Sequence, residues 1–198
     1  MIVAGLPFLS CECRRTCHDS ALIIDRSAVR QMAGQAKMLF SLRSVPEDEL
    51  RTIASGQTPA AYASSLELDA LPPAFVAARA LRWAAQGFPE PWSTTFLIIR
   101  HEDGRIVGGC GFKTPPRQGR VDVGYAVAPA AQKQGAATAA LEMLVEVARG
   151  AGASELLAEI APSNYASTRV VEKAGFQQVG ERLDEDNEHV IQWLRSVA

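Results

Sequence analysis

The stretch that most constrains this chain is a turn rich in small residues, Ala131 to Ala137. It joins an apolar run that ends near Val127 to a helical pattern that begins near Gln134. A strand that passes through such a turn directly into a helix leaves the first backbone N–H groups of the helix unpaired and pointing the same way. Small side chains let a ligand approach those groups, and the helix dipole favours negative charge there by about 0.3 to 1 kcal/mol. The sequence therefore predicts an anion-binding turn.

The segments on either side of this turn predict a strand, a helix and a second strand. Arg120 to Ala128 alternates so that its valines and Tyr125 share one face. After the turn, apolar residues recur at three-and-four spacing up to the stop signal at Gly150. Glu155 to Ile160 is then a mostly apolar strand. Strand, crossover helix and strand in this order predict a parallel pair.

The remaining segments predict a mixed α/β domain with several antiparallel strands. Asp103-Gly104 between two β-rich runs predicts a hairpin, and the glycines at 108, 109 and 111 indicate a bulge or a close backbone approach. Ser163-Asn164 predicts the start of a helix that ends at Gly175. The other predicted elements are a strand at 37–43, a helix from 46, two short helices within 58–86 separated by Pro72-Pro73, a loop at 113–119, and a final antiparallel pair at 176–183 and 188–195.

Composition and charge exclude several classes of function. The chain has 198 residues, of which 47% are hydrophobic and 21% charged, with a net charge of -2. A chain so close to neutral lacks the basic surface of nucleic-acid-binding proteins. It has no apolar run long enough to span a membrane and no signal-peptide pattern, so we expect a cytoplasmic protein. We expect residues 1–36 to be a poorly ordered extension and residues 37–198 to form one domain.

Three of the four cysteines and one histidine lie close together near the N-terminus, at Cys11, Cys13, Cys17 and His18. Thiolate and imidazole groups are suitable zinc ligands. Their spacing does not match the common paired arrangements, and no second pair follows. We therefore predict no metal site, and a metal-responsive protein stays as a minor alternative.

Three motifs, in this order, carry a resemblance to a known family. They are Val121 to Val127 followed by Gln132-x-x-Gly135-x-Ala137, then Asn164-x-x-Ser167, then Lys173-x-Gly175-Phe176. Together they resemble the GNAT family of acetyl-CoA-dependent N-acetyltransferases, and within it the RimJ and RimL group of ribosomal-protein N-terminal acetyltransferases. The resemblance covers roughly residues 37–198. It implies a mostly antiparallel central sheet with one parallel pair at the cofactor site and helices on both faces.

The resemblance implies that acetyl-CoA is bound at the turn. The helix amides would hold the pyrophosphate, and the end of the preceding strand would pair with the pantetheine arm as an added strand does. A backbone amide near Val127 would stabilise the oxyanion. The implied cofactor-binding residues are Val127, Ala128, Gln132, Lys133, Gln134, Gly135, Ala136, Ala137, Thr138, Asn164, Ser167 and Lys173.

The implied reaction is attack by a primary amine on the thioester, and it needs a base and an acid. Asp122 is the first candidate for the base, because it lies on the strand beside the cofactor and faces away from the packed valines. Glu159 near the end of the next strand is the second, and Asp186 in the last hairpin could also reach a substrate. For Asp122 and Glu159 a purely structural carboxylate is the equal alternative.

The chain departs from the family pattern at two positions. Many members have a Tyr acid seven residues after the helix-capping Asn, where this chain has Val171. Ser167 lies on the same predicted helix face and could stand near the sulfur instead, although a hydroxyl there can equally bond the main chain. The subgroup commonly has Glu where this chain has Ala139, which could change how the helix is braced.

The sequence leaves the acceptor and the assembly state open. Protein N-termini and small-molecule amines are both admissible acceptors, and we expect a monomer or a homodimer. Trp92 is the tryptophan expected to line an acceptor pocket, and Cys110 is expected to be a small buried residue. Because the usual Tyr is missing, a non-catalytic module that binds coenzyme A or acyl-CoA is the alternative function.

Overall fold

The computed structural model describes residues 39–184 and 186–197, so the cluster at Cys11, Cys13, Cys17 and His18 lies outside the described residues. The α-helices are α1 (Glu47–Ala54), α2 (Ala74–Ala85), α3 (Ala136–Gly150) and α4 (Tyr165–Lys173). The strands are β1 (Phe40–Ser44), β2 (Thr95–Arg100), β3 (Ile106–Phe112), β4 (Arg120–Val127), β5 (Glu155–Ile160), β6 (Gln177–Leu183) and β7 (His189–Ser196). Short 3₁₀ turns occupy Ala60–Tyr62 and Pro129–Ala131.

The seven strands form one sheet in the order β1-β2-β3-β4-β5-β7-β6. The β4–β5 pair is parallel and the other neighbours are antiparallel. The predicted fold class is therefore confirmed, including the hairpin around Asp103-Gly104 and the parallel pair joined through α3. β7 lies between β5 and β6 because the last hairpin folds back along β5.

Helices cover both faces of the sheet, as alternate residues of β2 demonstrate. Phe96 and Ile98 belong to one core cluster, which also holds the buried face of α3. Leu97, between them, belongs to the second cluster, which holds the buried residues of α1 and α2. Because side chains alternate along a strand, these two clusters lie on opposite faces of the sheet.

The glycines of β3 permit a close approach between two strands. A Cβ atom at Gly108 would lie 2.3 Å from the main-chain oxygen of Ala126 on β4. The β2–β3 register also shifts between Ile98 and Ile99. Both observations agree with the predicted bulge and close approach, and together they set the position of β4.

Of the two short helices predicted within residues 58–86, the first does not form. Only α2 is an α-helix, and the earlier part holds a single 3₁₀ turn. The main chain there bonds to the start of β3 instead: Ile106 donates to the carbonyl of Ser65 at 2.7 Å, and Glu67 donates to the carbonyl of Ile106 at 3.0 Å. These bonds satisfy backbone groups that a helix would otherwise pair internally.

Candidate functional site

A gap opens between β4 and β5 partway along the sheet. The two strands pair only at Arg120–Asp122 with Glu155–Leu157, although both continue beyond those residues. On the other side of β4, Lys113 donates to the carbonyl of Asp122 and Ala128 donates to that of Val107. Since hydrogen-bonded pairs alternate along an antiparallel ladder, Tyr125 and Val127 direct their main-chain groups away from β3 and into this gap. The gap can therefore accept an extended ligand.

The turn that follows β4 leaves the first amides of α3 available to a ligand. Lys133 and Gly135 both have left-handed backbone, with φ of 62° and 90°. No side chain caps the helix, whose first residue is Ala136. The Gln132 side chain donates to the carbonyl of Val127 at 3.2 Å and so ties the turn to the end of β4. Unpaired amides at a helix start with no acidic cap are suited to a phosphate group.

A groove with a cavity volume of about 560 Å³ runs from this gap across the turn to α4. All the cofactor-binding residues expected from the sequence line this groove except Ala128 and Gln134. The lining residues that were expected are Val127, Gln132, Lys133, Gly135, Ala136, Ala137, Thr138, Asn164, Ser167 and Lys173. The structure thus brings two segments about 30 residues apart in sequence to the same cleft.

The structure does not bring Ala128 and Gln134 to the groove. Ala128 is fully buried, and its N–H already donates to Val107 at 2.9 Å. The Gln134 side chain points elsewhere, since it donates to the carbonyl of Ala130 and accepts from Arg100. Neither residue therefore offers a side chain to a ligand in the groove.

Basic side chains line the groove on two elements. Lys133 comes from the turn, and Lys173 and Arg169 come from α4. We did not anticipate Arg169 from the sequence, although its spacing of four residues from Lys173 places both on one helix face. These cations add attraction for an anion to that of the helix amides.

Tyr125 and Ser167 meet where the groove reaches α4. Asn164 caps α4 by accepting from the Ser167 N–H at 3.1 Å, as the sequence predicted. The Tyr125 hydroxyl donates to the Ser167 carbonyl at 3.3 Å, and burial raises the pKa of that phenol. Within the described chain, no hydrogen bond engages the Ser167 hydroxyl, so it is available to a ligand. Tyr125 is a residue that sequence reasoning had treated only as part of a packed face.

Asp122 and Glu159 lie on one face of the sheet but in different surroundings. Asp122 stands at the last paired position before β4 and β5 diverge. Burial, and then repulsion from Glu159, raise the pKa of its carboxyl. Glu159 is held by Arg182 through two hydrogen bonds of 2.5 and 2.7 Å and by Gln192 at 3.0 Å. Burial alone would raise the pKa of Glu159, but these bonds lower it. Asp122 is therefore the more basic carboxylate.

A second cavity of about 230 Å³ meets the groove at Tyr125 and Ala126, which line both. Its other walls come from α2 and the segment before it, and from β2, β3 and β4. Lys113 and Arg79 also line it, whereas no acidic side chain does among the described residues. Tyr125 and Ala126 therefore separate the two cavities and would contact a ligand in either one.

Four other residues considered in the sequence analysis are buried. The expectation that Trp92 lines an acceptor pocket was wrong, because it is buried against Phe112 with ring centroids 4.9 Å apart. Cys110 is buried, as expected, and burial raises the pKa of its thiol. Val171 and Ala139 are both fully buried in the core. The helix is therefore braced at Ala139 by apolar packing.

Neither a metal-binding cluster nor a membrane-spanning helix is found among the described residues of the chain. No group of three or more His, Cys, Asp or Glu residues there is arranged to hold a metal ion. None of its helices is both long and apolar enough to cross a bilayer.

Comparison with known proteins identifies the fold. A family model described as "Acetyltransferase (GNAT) domain" matches residues 40–177. A search of curated protein sequences found no match.

Solved structures with the same fold have low sequence identity to the chain. One is a ribosomal-protein-S5-alanine acetyltransferase from Vibrio fischeri, at 14% identity and a TM-score of 0.57, covering 79% of this chain and 92% of that one. Another is an acetyltransferase of the GNAT family from Streptococcus pneumoniae, at 16% identity and a TM-score of 0.56, covering 80% of this chain and 99% of that one. A third is an aminoglycoside acetyltransferase in complex with coenzyme A, at 19% identity and a TM-score of 0.56, covering 79% of this chain and 94% of that one. At these identities the structures establish the fold alone.

Proposed function

The chain belongs to the GNAT acetyltransferase family, and from that premise we propose that it transfers an acetyl group from acetyl-CoA to a primary amine by direct attack on the thioester. The observation that carries the proposal is the meeting of two cavities at Tyr125 and Ala126. One cavity has an anion-binding turn at its far end, and the other is open to a second molecule. An acetyl donor and an amine can then meet across β4.

The residues of the groove fit acetyl-CoA. The unpaired amides from Gly135 onward suit a pyrophosphate, and Lys133, Arg169 and Lys173 supply the positive charge. The main-chain groups of Tyr125 face the gap, where they would pair with the amides of a pantetheine arm. Bound in this way, acetyl-CoA supplies the acetyl group as an activated thioester. The Val127 N–H would donate a hydrogen bond to the thioester carbonyl oxygen.

We assign Asp122 as the general base. Its raised pKa makes it a better proton acceptor than an ordinary aspartate, and it stands at the last paired position before β4 and β5 diverge, although its side chain lines neither cavity. Glu159, the other candidate, is already bound by Arg182 and Gln192. We therefore propose that Glu159 acts through Asp122, because its charge raises the pKa of the Asp122 carboxyl.

Two hydroxyls can return a proton to the departing thiolate. Tyr125 is the better match, because the pKa of a phenol, even one that burial raises, is closer to the pKa of a thiol than the pKa of an aliphatic hydroxyl is. Its hydroxyl donates to the Ser167 carbonyl, and Tyr125 lines the groove. We propose Tyr125 as the acid in place of the Tyr that Val171 replaces, with Ser167 as the alternative donor.

The test is release of free thiol from acetyl-CoA in the presence of a panel of primary amines, with product identified by mass. Steady release that depends on both acetyl-CoA and an amine is the expected result. Tight binding of coenzyme A with no turnover across a broad panel would contradict the proposal. That outcome would instead support the alternative, a non-catalytic coenzyme A or acyl-CoA-binding module, which the buried Val171 favours.

Within the family we propose membership of the RimJ and RimL group, with activity in the cytoplasm as a monomer or homodimer. The order of the sequence motifs supports the subgroup. Membership does not fix the acceptor, because a protein N-terminus and a small amine present the same nucleophile. The acceptor depends on the second cavity.

A further inference from the structure

The second cavity has apolar walls and two cations, Arg79 and Lys113, neither of which forms an ion pair within the described chain. Pro72, Val76 and Phe112 line it, and Phe75, whose residue surface is 66% exposed, stands at its rim. Of the two cations, Lys113 is near carboxylates: its charge acts on both Asp122 and Glu159 and opposes any rise in their pKa values. No carboxylate within the described chain acts on the charge of Arg79 in this way. The charge of the cavity is therefore positive, and Arg79 is the cation whose charge no nearby carboxylate offsets.

Arg79 is half-buried on α2 and unpaired within the described chain. No hydrogen bond or ion pair engages its guanidinium there. Burial, followed by repulsion from Arg82 one turn later, lowers its pKa from the usual arginine value. A guanidinium removed from water without a counter-charge is unfavourable, and a carboxylate is its best partner because it accepts two parallel hydrogen bonds.

The size and charge of the second cavity disfavour acceptors that carry several positive charges. Its volume of about 230 Å³ lies below the roughly 300 to 1,000 Å³ of common ligand pockets, so it suits a small molecule. A polyamine or an aminoglycoside would bring further positive charge to a cavity lined by Arg79 and Lys113 with no acidic lining residue among those described. An apolar side chain, by contrast, can pack against Val76 and Phe112.

We propose that the acceptor is a small primary amine that also carries a carboxylate and an apolar group, and that Arg79 binds the carboxylate. An apolar α-amino acid is the simplest member of this class. This inference rests on the proposed function in one respect, namely that the second cavity is the acceptor site.

The first experiment measures binding without turnover. The probes are 3-phenylpropanoate and 3-phenylpropanamide, which share the apolar group and lack an amine. We expect calorimetry to give about ten- to a hundredfold tighter binding of the acid, which is the range for a hydrogen bond to a charged group. Equal affinity for the two probes would overturn the proposal, whatever the enzyme acetylates.

The second experiment compares two arginines on α2. Arg79→Gln is expected to remove the preference for 3-phenylpropanoate, and Arg79→Lys to keep part of it. Arg82→Gln is the matched control, because Arg82 is exposed and does not line the cavity, so this variant should keep the full preference. A preference unchanged in Arg79→Gln would overturn the assignment. Melting temperatures of all three variants report whether folding is intact.

Turnover separates this inference from the proposed function. The acceptors are L-phenylalanine, L-phenylalaninamide and phenethylamine, compared by kcat/KM per unit of free amine. Preference for phenylalanine, lost in Arg79→Gln through KM, is the expected result. Acetylation of phenethylamine alone would leave the proposed function intact and refute this one. An Arg79-dependent preference for 3-phenylpropanoate with no turnover of any amine would refute the proposed function and leave carboxylate binding at Arg79 intact.

Discussion

The two cavities that meet at Tyr125 and Ala126 are built in different ways. The groove is formed largely by main chain: unpaired amides at the start of α3 and the diverging end of β4. The second cavity is formed by side chains from α2, β2, β3 and β4, such as Arg79 and Phe112. Main-chain groups recognise features common to many ligands, whereas side chains select one. The groove can therefore serve a shared donor, and the second cavity sets what is particular to this chain.

The largest expected effect comes from removing the proposed general base. Asp122→Asn should lower kcat/KM by about 10²- to 10⁴-fold, the usual contribution of a general base. Stability should not fall. The pKa of Asp122 is higher in the folded than in the unfolded chain, so its ionisation opposes folding as pH rises, and Asn removes that cost. Steady-state kinetics and a melting curve at pH 7 measure both effects.

The control for this variant is Asp48→Asn, which changes an exposed aspartate on α1. It should leave kcat/KM unchanged. Full activity in Asp122→Asn would mean that a water molecule or the solvent takes the proton, and that Asp122 is structural.

The second prediction concerns the main-chain site alone. Gly135→Val places a β-branched residue at φ of 90°, where side chains cost about 1 to 2 kcal/mol, and obstructs the approach to the helix amides. Affinity for coenzyme A should weaken by about ten- to a hundredfold, with little change in the binding of 3-phenylpropanoate. Calorimetry with each ligand makes the comparison.

Gly152→Val is the matched control, because Gly152 follows the other end of α3 with φ of 85° and has open space at its Cβ position. It should lose stability to a similar extent and keep its affinity for coenzyme A. Equal losses of affinity in the two variants would show that helix strain, and not the phosphate site, is responsible.

The third prediction tests Tyr125, one of the two residues that line both cavities. Tyr125→Phe should lower kcat by about tenfold, because the departing thiolate loses its proton donor. The loss of kcat should be smaller with an acetyl thioester of a more acidic thiol, because that leaving group needs less help from a proton donor. A packing defect would not produce this dependence. Ser167→Ala, assayed in parallel, identifies the alternative donor. If the loss of kcat depends on the leaving group in Ser167→Ala and not in Tyr125→Phe, Ser167 is the proton donor.

The smallest expected effect separates positioning from catalysis. Glu159→Gln removes the charge that helps to raise the pKa of Asp122, so that pKa should fall, and activity at pH 7 should change by less than tenfold. A carboxyl NMR titration of Asp122 measures the shift. Glu181→Gln, an exposed position on β6 beside His189, is the control. A loss as large as that of Asp122→Asn would make Glu159 the base.

Much of the fold could be predicted because it is specified locally. The stop at Gly150, the cap at Asn164 and the Asp103-Gly104 turn each act within a few residues, so the strands and helices around them were predicted close to their observed bounds. The segment before α2 was predicted wrongly because its main chain pairs with Ile106, about 40 residues away. No local pattern reports such a partner.

The same contrast divides the candidate site. By itself, the sequence determined the turn that leads into α3, the parallel pair and the helix cap, since each depends on backbone geometry that neighbouring residues set. Only the tertiary structure decided that Tyr125 faces Ser167, that Glu159 is held by Arg182, that Trp92 belongs to the core, and that Arg79, unpaired among the described residues, lines the second cavity. These depend on side chains brought together from distant segments, where burial and charge act through space and not along the chain.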